Sequence, residues 1–316
     1  MYRSITDIVK YLAALVVVNG HLFVFFSDYT AIASWVSLGS QCVSLFLFFS
    51  GYGLMCAYEN KGDSYLHGFF FRRIVRVLIP LITAYIVTLP LYSIFRGPID
   101  WKDVLATIYF GGEYLKFSWY VTEIFILYLI FYVCVFVFKN NVRYVRLNLT
   151  VSVCVLMIIL AVIKFPIWWL LGLPCFVFGV WYKYLNNVQN TKWIGIMSVV
   201  LFIISFRWQD VASLCASLNR WRYQYIAYYI SNIAFVSFIV YIIRKIQTKI
   251  EACNTHKIFN SYYEIYLMQN CCFIIVGSLG LVSWLMIPVS LCVVVIVGYV
   301  MNRINNRLFM YLKMMF

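Results

Sequence analysis

IVKYLAALVVVNGHLFVFFS, residues 8–27, is an apolar run whose only formal charge is on Lys10 and whose only histidine is His21. About 20 apolar residues are what a helix needs to cross the roughly 30 Å hydrocarbon core of a bilayer. The run therefore reads as a membrane span rather than a soluble core helix. Eleven residues separate Lys10 from His21, close to three helical turns. A helix sets both on nearly one face, roughly 16 Å apart along its axis at about 1.5 Å per residue. A titratable ring at membrane depth is expensive, and its default explanation is function.

Working outward, nine further apolar runs follow. The ten predicted spans are 8–27, 34–57, 75–95, 118–138, 147–163, 166–184, 193–207, 225–243, 262–282 and 285–302. Across the 316 residues, 64% are hydrophobic and only 11% charged, against about a quarter charged in soluble domains. With the N-terminus inside, 18 of the 25 Lys and Arg residues fall at inner segments and 7 at outer ones. That bias predicts both termini in the cytoplasm and an even number of spans. The fold expected is an all-α polytopic membrane bundle of about ten helices, a single membrane domain over 1–316 in the cell (inner) membrane. A cleaved signal peptide would use Ala31-Ile32-Ala33 as its processing triplet, but Asp7, Asn19 and His21 interrupt the apolar core such a peptide needs. The longest predicted outer loops are 96–117 and 208–224, the longest inner ones 58–74 and 244–261.

The net charge of +14 is spread between apolar runs, where it sets topology and meets anionic lipid or ligand. No basic soluble module stands behind it, which excludes nucleic acid as a partner. The ten cysteines form no C-x-x-C pair, and the histidines at 21, 67 and 256 show no ligand spacing. Neither a disulfide framework nor a metal site is predicted.

Four groups of residues remain as candidates for chemistry. His21 suits a general base, because the imidazole titrates nearest working pH. Glu123, at the start of the fourth span, is a second intramembrane titratable group. A carboxylate that orients a histidine is a recurring catalytic arrangement, so the two are paired in expectation. Arg73 and Arg76 open the third span on the cytoplasmic side, where guanidinium groups and a helix N-terminus favour phosphate. Lys10 adds a cation at the same level. Phe49-Ser50-Gly51-Tyr-Gly53 carries small residues that permit close helix approach. The aromatic and cationic residues of Arg207-Trp208 and Arg220-Trp221-Arg222-Tyr223 read as an outer interfacial belt. Glu264, Gln269 and Asn270 in the ninth span either line a polar cavity or join helices.

These residues resemble the integral-membrane acyltransferase 3 family. Lys10-x10-His21 is similar to its basic-x10-His signature, and Phe48-Phe49-Ser50-Gly51-Tyr52 to its Phe-Phe-x-Ser-Gly-Phe stretch. Arg73-x-x-Arg76 followed by Pro80 resembles its Arg-x-x-Arg and proline. Trp119-Tyr120, Trp169 to Gly179 and Ser261 to Leu267 resemble its later segments, in the same order. The sequence departs from the pattern at Lys10, where arginine is common, at Tyr11, where glycine is frequent, and at Gln269, where many members carry histidine.

The resemblance implies catalysis at His21 and a donor site at Lys10, Arg73 and Arg76. The donor implied is acyl-CoA, acetyl-CoA first, taken as a substrate from the cytoplasm with no permanently bound cofactor. The acceptor implied is a hydroxyl of a cell-envelope polysaccharide or its lipid-linked sugar precursor. A transporter or flippase for a glycan intermediate is the rival, using the same polar groups for passage; no pair of matched, interrupted halves supports it.

Overall fold

The computed structural model describes residues 3–26, 38–107, 112–139, 141–185, 192–214, 221–247 and 257–315. The Ala31-Ile32-Ala33 triplet, His256 and Arg220 lie outside them, as do the side chains of Trp221, Arg222 and Tyr223. Among the described residues every regular element is helical. Seven helices are long and apolar enough to cross a membrane: Ser4–Leu22, Gly39–Leu66, Phe71–Phe95, Trp119–Val137, Val142–Val162, Tyr225–Gln247 and Leu285–Met315. The three other predicted spans fall on a shorter apolar stretch, Trp168–Trp181, and on the helices Lys192–Leu214 and Tyr262–Ser278.

The helices are α1 (Arg3–Phe25), α2 (Gly39–Lys61), α3 (Arg76–Phe95), α4 (Trp101–Thr107), α5 (Trp119–Val137) and α6 (Val142–Val162). After them come α7 (Trp168–Leu171), α8 (Leu173–Trp181), α9 (Lys192–Leu214), α10 (Trp221–Gln247), α11 (Tyr262–Ser278) and α12 (Ser283–Met315). The predicted inner loop 58–74 is mostly helical. α2 runs on to Lys61, a 3-10 turn covers Gly62–Leu66, and the chain turns at Gly62 and Gly68, whose φ of 57° and 64° suits glycine.

The chain forms two compact units, each assembled from separated segments. One comprises Met1–Thr6, Ser40–His67 and Leu129–Cys253. Lipid tails are as apolar as leucine, so helices here associate through close packing and interhelical hydrogen bonds, about 0.6–2 kcal/mol each. Both devices are present. A Cβ added at Gly179 of α8 would stand 2.2 Å from the Phe48 carbonyl oxygen, and one at Gly51 of α2 2.3 Å from that of Phe176. Glycine on both sides lets these two backbones touch. Asn232 of α10 donates to Ser40 Oγ and to the Leu171 carbonyl, both at 3.0 Å, and Gln41 donates to Ser231 Oγ at 3.0 Å. At the far end of α2, Glu59 is paired with Arg146 and with Lys183 at 2.7 Å.

The other unit comprises Asp7–Gly39, Gly68–Tyr128 and Asn254–Phe316. Its axis is the pairing of α1 with α11. Tyr262, Tyr266, Gln269 and Phe273 recur at i, i+4, i+7 and i+11 and form one stripe of α11. Lys10 stands 5.2 Å over the Tyr262 ring at one end, and Phe25 packs 5.5 Å from Phe273 at the other. α1 and α11 therefore run parallel. α3 runs with them: Tyr263 donates to the Val77 carbonyl near its start, and Arg96 at its end stands over Phe25. α12 runs the opposite way, its Asn302 and Asn305 reaching Glu264 near the start of α11. These directions are what the predicted ten-span order requires of its first, third, ninth and tenth members.

Candidate functional site

His21 lies four residues before the end of α1, on the side that faces α11. Its Nδ1 is 2.8 Å from Gln269 Oε1. An amide oxygen only accepts, so this contact puts the ring proton on Nδ1 and leaves the lone pair on Nε2. The imidazole is stacked on the Phe117 ring, centroids 3.7 Å apart and planes 5° from parallel. Tyr266 stands beside it at 6.5 Å. The ring is thus fixed in plane by the aromatic and in rotation by the amide.

Phe117 reaches this position because the chain before α5 is drawn inward. The Tyr266 hydroxyl donates to the Phe117 carbonyl, and Asn270 Nδ2 donates to the Tyr114 carbonyl at 2.7 Å. Tyr114 also packs 4.7 Å from Tyr92 of α3, and it and Leu115 are buried. A short 3-10 turn (Glu113–Leu115) and the turn residues after it persist among membrane helices only where the protein satisfies their polar groups, and Tyr266 and Asn270 do so here. The sequence placed 96–117 in an outer loop; its last residues instead form a wall of the site.

Glu123 is buried one turn into α5, 2% exposed, and neither carboxylate oxygen has a hydrogen-bond partner among the described residues. It lies within electrostatic reach of Tyr266. The expected hydrogen bond between Glu123 and His21 is not formed; Nδ1 of the ring is met by Gln269 instead. Gln269 is 1% exposed, and its amide nitrogen has no hydrogen-bond partner among the described residues. Its two polar neighbours differ from it: Glu264 binds Asn302 at 2.9 Å and Asn305 at 3.3 Å, and Asn270 anchors the segment before α5. They join elements, whereas Gln269 serves the histidine.

Two of the predicted donor residues, Lys10 and Arg76, lie near the start of α11. Lys10 is 3.7 Å from Asp7 and stands over Tyr262. Arg76 is exposed, its guanidinium 5.3 Å over the Phe309 ring, within electrostatic reach of Glu264. Arg73 is half-buried on a wide π turn, Phe71–Val75, that is continuous with α3. The helical course begins at Phe69, so the first turn of the helix precedes these arginines. The helix-dipole contribution expected at Arg73 and Arg76 belongs one turn earlier.

Gln269, Phe117 and Tyr266 were not assigned to the site from sequence. The signal available was the four-residue stripe on α11, which carries one polar side chain among aromatics.

A sequence model of the acyltransferase 3 family, described as an acyltransferase domain, matches residues 5–303. No curated protein and no solved structure matches the chain. The matched residues take in α1 with Lys10 and His21, the arginines at the start of the third span, and α11 with Gln269. The chain belongs to this acyltransferase family and is a membrane acyltransferase.

Proposed function

We propose that this chain O-acylates a carbohydrate of the cell envelope, or its lipid-linked precursor, with an acyl group taken from cytoplasmic acyl-CoA, acetyl in the first instance. The cell membrane is its site of action, with lipid as its surroundings. The observation that carries the reading is the imidazole of His21, fixed with Nε2 free, eleven residues along α1 from Lys10.

The donor's phosphates meet Lys10, Arg73 and Arg76, and its pantetheine arm runs along α1 toward His21. Nε2 of His21 takes the proton of the acceptor hydroxyl. The oxygen attacks the thioester carbonyl, the C–S bond breaks, and the proton leaves with the sulfur to give CoA thiol and an ester. General-base assistance of this kind contributes about 10²–10⁴ in rate. Glu123 acts beside Tyr266 rather than on the ring of His21. Family membership favours chemistry over passage, which leaves the transporter reading without support.

Two experiments test this. His21→Ala removes the acyl mass increment from surface glycans, measured by mass spectrometry, while the folded protein persists in the membrane; an undiminished increment sinks the catalytic assignment. Acetyl-CoA raises the Tm of the purified protein, and Arg73→Ala/Arg76→Ala abolishes that rise. A full shift in the double variant removes the donor site from these residues.

A further inference from the structure

The family match ends at residue 303, yet α12 continues to Met315. At 33 residues it is roughly 50 Å long at about 1.5 Å per residue, well beyond a hydrocarbon core of roughly 30 Å. The overhang is built into the site. Gly298, Asn302, Asn305 and Phe309 fall at i, i+4, i+7 and i+11 and share one face of α12. Gly298 packs on Ile265, the two asparagines hold Glu264, and Asn305 also accepts from Thr83 of α3 at 2.9 Å. The next residue of this face is Phe309. Its ring lies 4.9 Å from Phe71 and under the guanidinium of Arg76.

Arg76 makes no hydrogen bond and no ion pair among the described residues. An exposed arginine side chain without such a partner ordinarily samples many rotamers. Stacking on an aromatic face restrains a guanidinium while its N–H donors remain free for bidentate contact with phosphate. We propose that Phe309 is a positioning residue of the donor site, holding the Arg76 guanidinium ready for a phosphate of the acyl donor. The proposal rests on the reading of Arg76 as a donor ligand. It extends the site to a residue beyond the family-matched segment.

The test uses the full chain in nanodiscs, with coenzyme A as probe and pantetheine, which lacks the phosphates, as control. Phe309→Leu raises the Kd for coenzyme A about fivefold, the equivalent of about 1 kcal/mol, and leaves pantetheine binding unchanged. Phe309→Trp restores the affinity. Arg76→Lys, which keeps the charge and loses the flat stack, weakens binding by a similar factor, and adding Phe309→Leu weakens it little further. The arginine variant keeps the test open should the leucine variant fold poorly. If Arg76→Ala weakens coenzyme A binding but Phe309→Leu does not, the role of Phe309 is wrong and the donor site stands. If Arg76→Ala also leaves binding unchanged, the donor reading itself has failed. Equal loss of coenzyme A and pantetheine in Phe309→Leu overturns the proposal in favour of a purely structural ring.

Discussion

At the scale of the residue, the site turns on how His21 is held. A catalytic imidazole needs one nitrogen committed and the other free. Here a neutral amide makes the commitment through a 2.8 Å hydrogen bond, with Phe117 against the ring face. Gln269→Leu keeps the bulk and removes the acceptor. We expect kcat to fall about 10- to 100-fold, a part of the roughly 10²–10⁴ that general-base assistance contributes, with the KM for acyl-CoA little changed. An equal rise in KM alone would show that the amide serves donor binding instead. His21 and Lys10 were legible in the sequence because an ionisable group inside an apolar run breaks a pattern. Gln269 stood out as a polar residue of the ninth span and a departure from the family pattern, but it was not assigned to His21, because a neutral polar side chain in a span also serves to join helices. Its partner lies 248 residues away, so no local spacing announces it. Glu123 was legible as unusual, but its partner was not: depth along two helices does not fix which faces meet.

At the scale of the element, two contacts decide whether helices sit close enough. Gly179 and Gly51 were readable as small residues inside apolar runs, and the structure sets their backbones against Phe48 and Phe176. Gly179→Ala forces a methyl group into a carbonyl oxygen. Overpacking of this kind costs about 1–3 kcal/mol, measurable as a lowered Tm of the purified protein; an unchanged Tm would mean the helices separate freely. The segment before α5 was not legible. The sequence placed 96–117 in an outer loop, and it is Tyr266 and Asn270 on a distant helix that bind the carbonyls of Phe117 and Tyr114. Tyr266→Phe leaves the Phe117 carbonyl without that donor, at a cost of about 1–3 kcal/mol. Activity should fall with it, because the wall against His21 loosens. Activity equal to the parent chain would separate the wall from the chemistry.

At the scale of the whole molecule, the succession of apolar runs along the sequence foretold a helical membrane chain. The parallel course of α1, α3 and α11 agrees with the order of spans it required. A reporter active only in the cytoplasm, fused after Phe316, should be active; a silent reporter beside an active periplasmic one would mean that one predicted span does not cross. The sequence order also sets a timetable. Chains are made from the N-terminus at about 5–20 residues per second. His21 therefore enters the membrane roughly 12–50 s before Gln269 exists, across the 248 residues between them. During that interval the imidazole lodges without its acceptor. The proposed site waits for α11, with only α12 still to follow, and a ribosome that stalls before α11 leaves a chain with most of its described helices but without the Gln269 that holds His21.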